Sequence, residues 1–100
     1  MQDISIEFHK EAELEMLQAA DFYEHQERGL EQRFFDEIDR GLEAISCHPT
    51  GWPVLEGSLR KKVLFGFPYT ILFEKDQHRI YILAIMHQSR EPGYWKSRLG

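Results

Sequence analysis

The sequence predicts an α+β fold in which an antiparallel sheet packs against a helical hairpin. Apolar residues recur with helical spacing between Lys10 and Ile45, and with the period of a strand from Leu59 onward. Ile80–Met86 is an unbroken run of seven apolar or aromatic side chains, which is typical of a strand covered on both faces. The expected order of elements is β-α-α-β-β-β, followed by a short C-terminal helix or tail.

The first strand and the first helix follow from local patterns. Ile4–Phe8 alternates apolar and polar residues, which predicts a short strand with one buried face. Lys10–Glu27 predicts an amphipathic helix. The apolar stripe of this helix comprises Ala12, Met16, Ala19, Ala20 and Tyr23. Arg28-Gly29 interrupts the helical pattern and predicts a tight connection.

The second helix has a clearer stripe and a glycine within it. The stripe comprises Leu30, Phe34, Ile38, Leu42 and Ile45. Gly41 lies on the same side, where a glycine costs a helix about 1 kcal/mol relative to alanine. A glycine is tolerable at this position if another backbone passes close to it. Pro49 is expected to end the helix near Cys47 and His48.

Three strands with short links are predicted for the rest of the chain. Thr50–Ser58 contains two glycines and a proline and is predicted to be a loop. The first strand begins at Leu59 and is interrupted at Pro68. The second spans Tyr69–Phe73, and the third spans Arg79–His87. Because parallel neighbours need long crossovers, these strands are expected to form an antiparallel meander.

Strict alternation along these strands assigns each side chain to a face of the sheet. In the first meander strand, one face is expected to carry Val63, Phe65 and Phe67. In the last strand, one face is expected to carry Tyr81, Leu83, Ile85 and His87. The opposite face of that strand is expected to carry Ile80, Ile82, Ala84 and Met86.

Composition indicates one globular domain over residues 1–100 and argues against several classes of protein. Cys47 is the only cysteine, so no intramolecular disulfide is expected. The longest apolar run is seven residues, whereas a membrane span needs about 20, and no secretory signal is recognisable. We therefore expect an intracellular protein without a membrane partner. The histidines lack metal-ligand spacing and no phosphate-binding glycine loop is present, so neither a metal nor a cofactor is expected.

The net charge of −5 conceals an asymmetry between the two halves of the chain. Residues 1–57 contain fourteen acidic and four basic side chains, whereas residues 58–100 contain three acidic and eight basic ones. The overall charge argues against a general polyanion binder, but a basic face on the predicted sheet and tail remains open. The alternative is that charge follows secondary structure, since helix surfaces accommodate glutamate well.

Cationic and aromatic residues between positions 60 and 98 are the candidates for a functional site. They are Arg60, Lys61, Lys62, His87, Arg90, Lys96 and Arg98, interleaved with Tyr69, Tyr94 and Trp95. Arginines bind phosphate or carboxylate, a histidine transfers protons near neutral pH, and aromatic rings stack on bases. Structural roles are the alternative: a histidine at the core edge, arginines paired with acidic helices, and aromatic rings that pack the tail against the sheet.

The chain resembles the RelE/ParE superfamily of toxins from type II toxin–antitoxin, or plasmid-stabilisation, modules. The resemblance covers essentially the whole chain. It rests on Ala12, Arg60, Phe67-Pro68-Tyr69, Ile82–His87 and Arg90–Arg98. The combination of Phe-Pro-Tyr with His-x-x-Arg-x-Pro-x-Tyr-Trp is the specific part, and it is more similar to the ParE and plasmid-stabilisation branch.

This resemblance implies a single toxin-like domain in the bacterial cytoplasm that is neutralised by a small cognate antitoxin. ParE-like members inhibit DNA gyrase, whereas RelE-like members cleave messenger RNA on the ribosome, and a toxin fold that has lost its activity is a third alternative. For a ribonuclease, the resemblance implies His87, Arg90 and Arg60 as catalytic residues. The residues expected to contact a target or the antitoxin are Tyr69, Tyr94, Trp95, Lys96 and Arg98.

Overall fold

The structure is a computed structural model that describes residues 4–99. Its elements are β1 (Ser5–Phe8), α1 (Lys10–Gln26), α2 (Leu30–Cys47), β2 (Val54–Glu56), β3 (Leu59–Val63), β4 (Tyr69–Lys75), β5 (Arg79–His87) and a 3-10 turn (Lys96–Arg98). The five strands form one sheet in the order β1-β5-β4-β3-β2. The helical hairpin covers one face of the sheet, and the C-terminal tail covers part of the other.

The antiparallel meander β3-β4-β5 is confirmed, but the sheet as a whole is mixed. β1 pairs with β5 in parallel, with Ser5 opposite Arg79 and Phe8 opposite Ile82. A parallel neighbour requires a long crossover, and the two-helix hairpin together with the meander provides it. Local patterns left the pairing of β1 open, and the structure adds it to the predicted meander as a parallel edge strand.

Both helices are confirmed, and side chains outside the apolar stripes fix their ends. The N-terminus of α1 is capped by His9, whose Nδ1 accepts a hydrogen bond of 3.0 Å from the amide of Glu11. Glu24 then accepts hydrogen bonds from the amides of Gly29 and Glu31, both at 3.1 Å, and so caps the start of α2. Gly29 itself has a φ of 89°, which glycine adopts without strain.

The two apolar stripes meet over the sheet and form the larger core. Its fully buried members include Ala12, Ala19 and Ala20 from α1, and Phe34, Ile38 and Ile45 from α2. Gly41 faces this core, as expected from its position. A Cβ at this position would lie 2.9 Å from Ile71 Cδ1 and 3.0 Å from Leu64 Cδ2. The close neighbours of Gly41 are therefore the side chains of Ile71, in β4, and of Leu64, just after β3, and not a backbone.

The region predicted to be a loop contains the edge strand β2, which is a correction. Val54–Glu56 pairs with β3 in antiparallel orientation, and its three residues are all exposed. A strand of this length without a buried face has no alternation to detect. The strand β3 ends at Val63, so the predicted common face of Val63, Phe65 and Phe67 is also wrong. Phe65 is 84% exposed in the following turn.

A β-bulge in β5 overturns the predicted assignment of its faces. Leu72 pairs with Ala84 and Phe73 pairs with Ile82, so Leu83 is one extra residue on β5. Before the bulge, Ile80 and Ile82 face the helices. After it, Ile85 faces the helices while Leu83 and Ala84 both belong to the second cluster, on the opposite face. The expectation that Leu83 and Ile85 share a face is therefore wrong.

The second core cluster lies on the face of the sheet away from the helices. It comprises Leu59, Leu72, Leu83, Ala84 and Trp95. Trp95 is 4% exposed, and its packing in this cluster holds the C-terminal tail against this face of the sheet. Neither helix within residues 4–99 combines the length and the apolar character that crossing a membrane would require.

Candidate functional site

A cavity of about 280 Å³ opens between α1, the paired ends of β4 and β5, and the C-terminal tail. We call it the β5 cavity. Its lining residues are Glu15, Gln18, Ala19, Phe22, Tyr69, Ile85, His87, Arg90 and Tyr94. Four of the residues predicted from the sequence, namely Tyr69, His87, Arg90 and Tyr94, thus meet in one place.

The imidazole of His87 is held by its own strand end and by the neighbouring strand. Tyr69 pairs with His87 across the β4-β5 ladder, and the two rings stand edge to face with centroids 5.0 Å apart. The Nδ1 atom accepts a hydrogen bond of 3.0 Å from the Ser89 amide, and the Ser89 hydroxyl lies 2.8 Å from the same atom. Because Nδ1 is an acceptor, the proton of the neutral ring is on Nε2.

Arg90 supplies the available positive charge of the β5 cavity. Its guanidinium lies 3.8 Å from the centroid of the Tyr94 ring, a distance that gives a cation–π interaction. Among residues 4–99, no carboxylate forms an ion pair with Arg90. The group is exposed and can therefore accept an anionic partner without first losing an internal one.

Glu15 lies at the base of the β5 cavity and accepts hydrogen bonds from three residues, one of β5 and two of the C-terminal tail. Its donors are the amide of Ile85 at 3.0 Å, the hydroxyl of Tyr94 at 2.8 Å, and both terminal nitrogens of Arg98 at 2.9 Å. The side chains of Arg98 and Glu15 are only 12% and 14% exposed. We call Glu15, Tyr94, Arg98 and the Ile85 amide the Glu15 cluster.

The tyrosines of the β5 cavity remain protonated at neutral pH. Burial raises the pKa of Tyr94, and its hydrogen bond to Glu15 raises it further. Burial is also the main reason why the pKa of Tyr69 is raised. Neither phenol therefore serves as a base, and the Tyr69 hydroxyl can donate a hydrogen bond to a partner, whereas that of Tyr94 already donates to Glu15. The Arg98 guanidinium has a raised pKa because it donates hydrogen bonds to Glu15.

Arg60 lies apart from the other candidate residues. It pairs with Phe73, whose partner on β5 is Ile82, five residues before His87 along that strand. Five residues of a strand span roughly 16 Å. The guanidinium of Arg60 donates a 2.7 Å hydrogen bond to the backbone oxygen of Trp52 and does not line the β5 cavity. The structure does not bring Arg60 and His87 together.

The predicted contact residues of the tail have different environments. Trp95 is buried against the sheet, and Arg98 is engaged by Glu15. Lys96 is exposed, with its ammonium 3.7 Å from the Glu56 carboxylate. Of the tail residues, Tyr94 and Lys96 therefore have surface available to a partner, whereas Trp95 would have to leave the core to reach one.

Glu15, Gln18 and Phe22 are members of the site that the sequence analysis missed. Glu15 lies one helical turn from both Ala12 and Ala19, so it borders the buried stripe of α1. A carboxylate beside an apolar stripe is a signal that could have been found. It was masked by the many glutamates in the first turns of α1, which the helix dipole alone accounts for.

Comparison with known proteins identifies the family. Residues 6–92 match the family model described as the ParE toxin of the type II toxin–antitoxin system parDE. The chain belongs to the ParE toxin family. A comparison with curated proteins gave no match. A solved structure titled as the chromosomal ParDE toxin–antitoxin system from P. aeruginosa matches with a TM-score of 0.67 and 17% identity, covering 84% of this chain and 95% of the other.

The family assignment confirms the predicted RelE/ParE resemblance, and the structural match confirms the α+β fold. The matched region of this ParE-family toxin includes His87 and Arg90 and stops at residue 92. The tail residues Tyr94 and Arg98 lie beyond the match, although they complete the β5 cavity and the Glu15 cluster.

Proposed function

We propose that this ParE-family toxin inhibits an essential cellular target, DNA gyrase, by binding to it in the bacterial cytoplasm. We also propose that a cognate antitoxin neutralises it. Membership of the ParE toxin family supports both proposals, and the ParDE title of the matching structure supports the second. Exposed apolar side chains support a protein partner, because Phe65 is 84% exposed and Phe22, at the rim of the β5 cavity, is 56% exposed.

The composition of the β5 cavity is the observation that carries inhibition by binding rather than by cleavage. Metal-free cleavage of RNA needs a base, an acid, and cations that converge on the developing phosphorane charge. Of the lining residues, Arg90 is the single arginine or lysine, and Arg60 is remote. Glu15 is the one lining carboxylate, and its oxygens are engaged by Arg98, Tyr94 and the Ile85 amide.

The second candidate is a ribosome-dependent messenger RNA endoribonuclease. The proximity of His87, Arg90, Tyr69 and Tyr94 in one cavity favours it. In that case His87 would transfer a proton through Nε2, and Arg90 would contact the scissile phosphate. This mechanism uses a single cation, which is the reason for ranking it second.

Two assays on the purified toxin separate the candidates. Supercoiling of relaxed plasmid by purified gyrase should fall as toxin is added, and ribosome-bound messages should stay intact. Supercoiling at the control rate with an excess of folded toxin would contradict the proposal, and cleavage of the message would then favour the second candidate. Normal growth after expression, with neither effect, would indicate a toxin fold without activity.

Variants of Arg90, in the β5 cavity, and of Lys96, in the neighbouring tail, then identify the contact surface. Arg90→Ala and Lys96→Ala remove exposed charges and should weaken the inhibition of gyrase. Lys75→Ala is the matched control, since this exposed lysine lies at the far end of β4. Equal inhibition by all three variants would place the gyrase-binding surface elsewhere. Addition of the product of an adjacent short reading frame should restore supercoiling if it is the antitoxin.

A further inference from the structure

One edge of β5 is only half covered by a neighbouring strand. β1 reaches as far as Ile82, and the amide of His9 bonds to the Ile82 carbonyl at 2.9 Å. Beyond that point, the described residues place no strand along this edge of β5. The bulge at Leu83 lies immediately afterwards, so its backbone groups on this edge need other partners.

The Glu15 cluster supplies those partners. Glu15 Oε1 accepts a 3.0 Å hydrogen bond from the Ile85 amide, and Arg98 Nη1 donates a 3.1 Å hydrogen bond to the Leu83 carbonyl. The two side chains also bind each other through both terminal nitrogens of Arg98. The ion pair thus provides one acceptor and one donor along the edge, as a paired strand would do.

The bulge decides on which face of the sheet His87 lies. The side-chain period of a strand is two, so one inserted residue moves every later side chain to the other face. Because Leu83 is inserted, Ile85 and His87 face α1 and line the β5 cavity, whereas Met86 packs with the opposite cluster. Without the insertion, the cavity would lose its imidazole.

A second connection runs from Glu15 to Arg90. The Tyr94 hydroxyl donates a 2.8 Å hydrogen bond to Glu15, and Arg90 lies 3.8 Å from the centre of the Tyr94 ring. The ring is therefore held at one end by the carboxylate and offers its face to the guanidinium. One partly buried glutamate on α1 is linked in this way to both polar groups of the cavity, His87 and Arg90.

We propose that Glu15 is a positioning residue that stabilises the bulge in β5 and the ring of Tyr94, and thereby directs His87 and Arg90 into the β5 cavity. The proposal rests on the proposed function only in treating the cavity as the functional site. Glu15 acts through the backbone of β5 and through Tyr94, so no contact with a target is required of it.

The test compares four proteins by nuclear magnetic resonance. In Glu15→Ala, the Ile85 amide should exchange with solvent about tenfold faster, because its acceptor is gone. The contacts between the rings of His87 and Tyr69 should weaken as well. Glu15→Gln keeps an acceptor for Ile85 and should show a smaller change. Glu13→Gln is the matched control, since Glu13 is exposed on the same helix, and it should resemble the wild type.

Tyr94→Phe separates the two connections and also serves if Glu15→Ala does not fold. This variant removes the hydroxyl and keeps the edge partners of β5. The side-chain signals of Arg90 should therefore shift while those of Ile85 and His87 stay at their wild-type positions. The proposal would be overturned if the signals of His87, Arg90 and Ile85 were unchanged in both Glu15→Gln and Glu15→Ala. If Glu15→Ala does not fold, unchanged signals in both Glu15→Gln and Tyr94→Phe would overturn it.

Measurement of gyrase inhibition distinguishes this proposal from the proposed function. If the signals of His87 and Arg90 move while inhibition is retained, Glu15 positions these side chains but the β5 cavity is not the functional site. If inhibition is lost with unchanged signals, Glu15 contacts the target directly and its positioning role is refuted. Loss of both supports the positioning role and the site together.

Discussion

Replacing Trp95 by alanine is expected to lower the free energy of unfolding by about 4 kcal/mol. Trp95 is 4% exposed and packs with Leu59, Leu72, Leu83 and Ala84. An aromatic side chain buries roughly 150–250 Å², which at about 25 cal/mol per Å² corresponds to about 4–6 kcal/mol. Truncations of this kind in other cores cost about 3–5 kcal/mol. The loss is a large part of the roughly 5–15 kcal/mol expected for a domain of this size.

Urea-induced unfolding followed by far-ultraviolet circular dichroism measures this loss. The midpoint of thermal unfolding should fall by roughly 16–32 °C, given about 4–8 °C per kcal/mol for such a domain. Trp95→Phe should cost less than half as much, because most of the apolar contact is kept. Lys96→Ala, at an exposed neighbouring position, should stay within about 0.5 kcal/mol of the wild type. A cost below about 1 kcal/mol for Trp95→Ala would refute the packing of the tail against the sheet.

Three further predictions concern other parts of the fold, and each is checked by unfolding. Glu37→Ala should cost about 1–3 kcal/mol, because Glu37 is 9% exposed and accepts a 3.1 Å hydrogen bond from the amide of Phe65. Phe65→Ala keeps that backbone amide and serves as the control, so equal costs for the two variants would contradict this role of Glu37. Gly41→Val should cost more than 2 kcal/mol, since a Cβ alone would lie 2.9 Å from Ile71; a neutral result would show that this interface yields readily. The backbone amide of His78 lowers the pKa of Asp76 below its ordinary value of 3.8. The Asp76 carboxylate therefore stabilises the fold above pH 3.8, and this stabilisation is lost as the pH falls through the lower pKa of the folded state. Asp76→Asn should flatten the acid side of the plot of stability against pH.

The sequence predicted the helices well because many residues contribute to each pattern. The stripe of α2 recurs along a helix of eighteen residues, so no single position decides the outcome. The strand β2 has three exposed residues and no such redundancy. The faces of β5 were assigned incorrectly because one inserted residue, Leu83, reverses the alternation, and no local pattern announces it.

The site could be predicted only in part, for a related reason. His87 and Arg90 are close in sequence, and Tyr69 becomes their neighbour through the register of β4 with β5. Glu15 is seventy residues before Ile85 along the chain, and their contact arises only from the packing of α1 on the sheet. Arg60 has suitable chemistry but is displaced along the strand direction from His87. This displacement is set by the register of the strand pairs, which the sequence does not show.

The parallel pairing of β1 with β5 has a consequence for folding during synthesis on the ribosome. Ser5 bonds to His78, seventy-three residues later, so the edge of the sheet cannot close until β5 has been synthesised. At about 5–20 residues per second, that interval is roughly 4–15 s. During this time the helical hairpin has no sheet to cover, and the walls of the β5 cavity do not yet exist. Under the proposed function, the chain therefore passes through an interval in which the proposed antitoxin can meet it before the β5 cavity has formed.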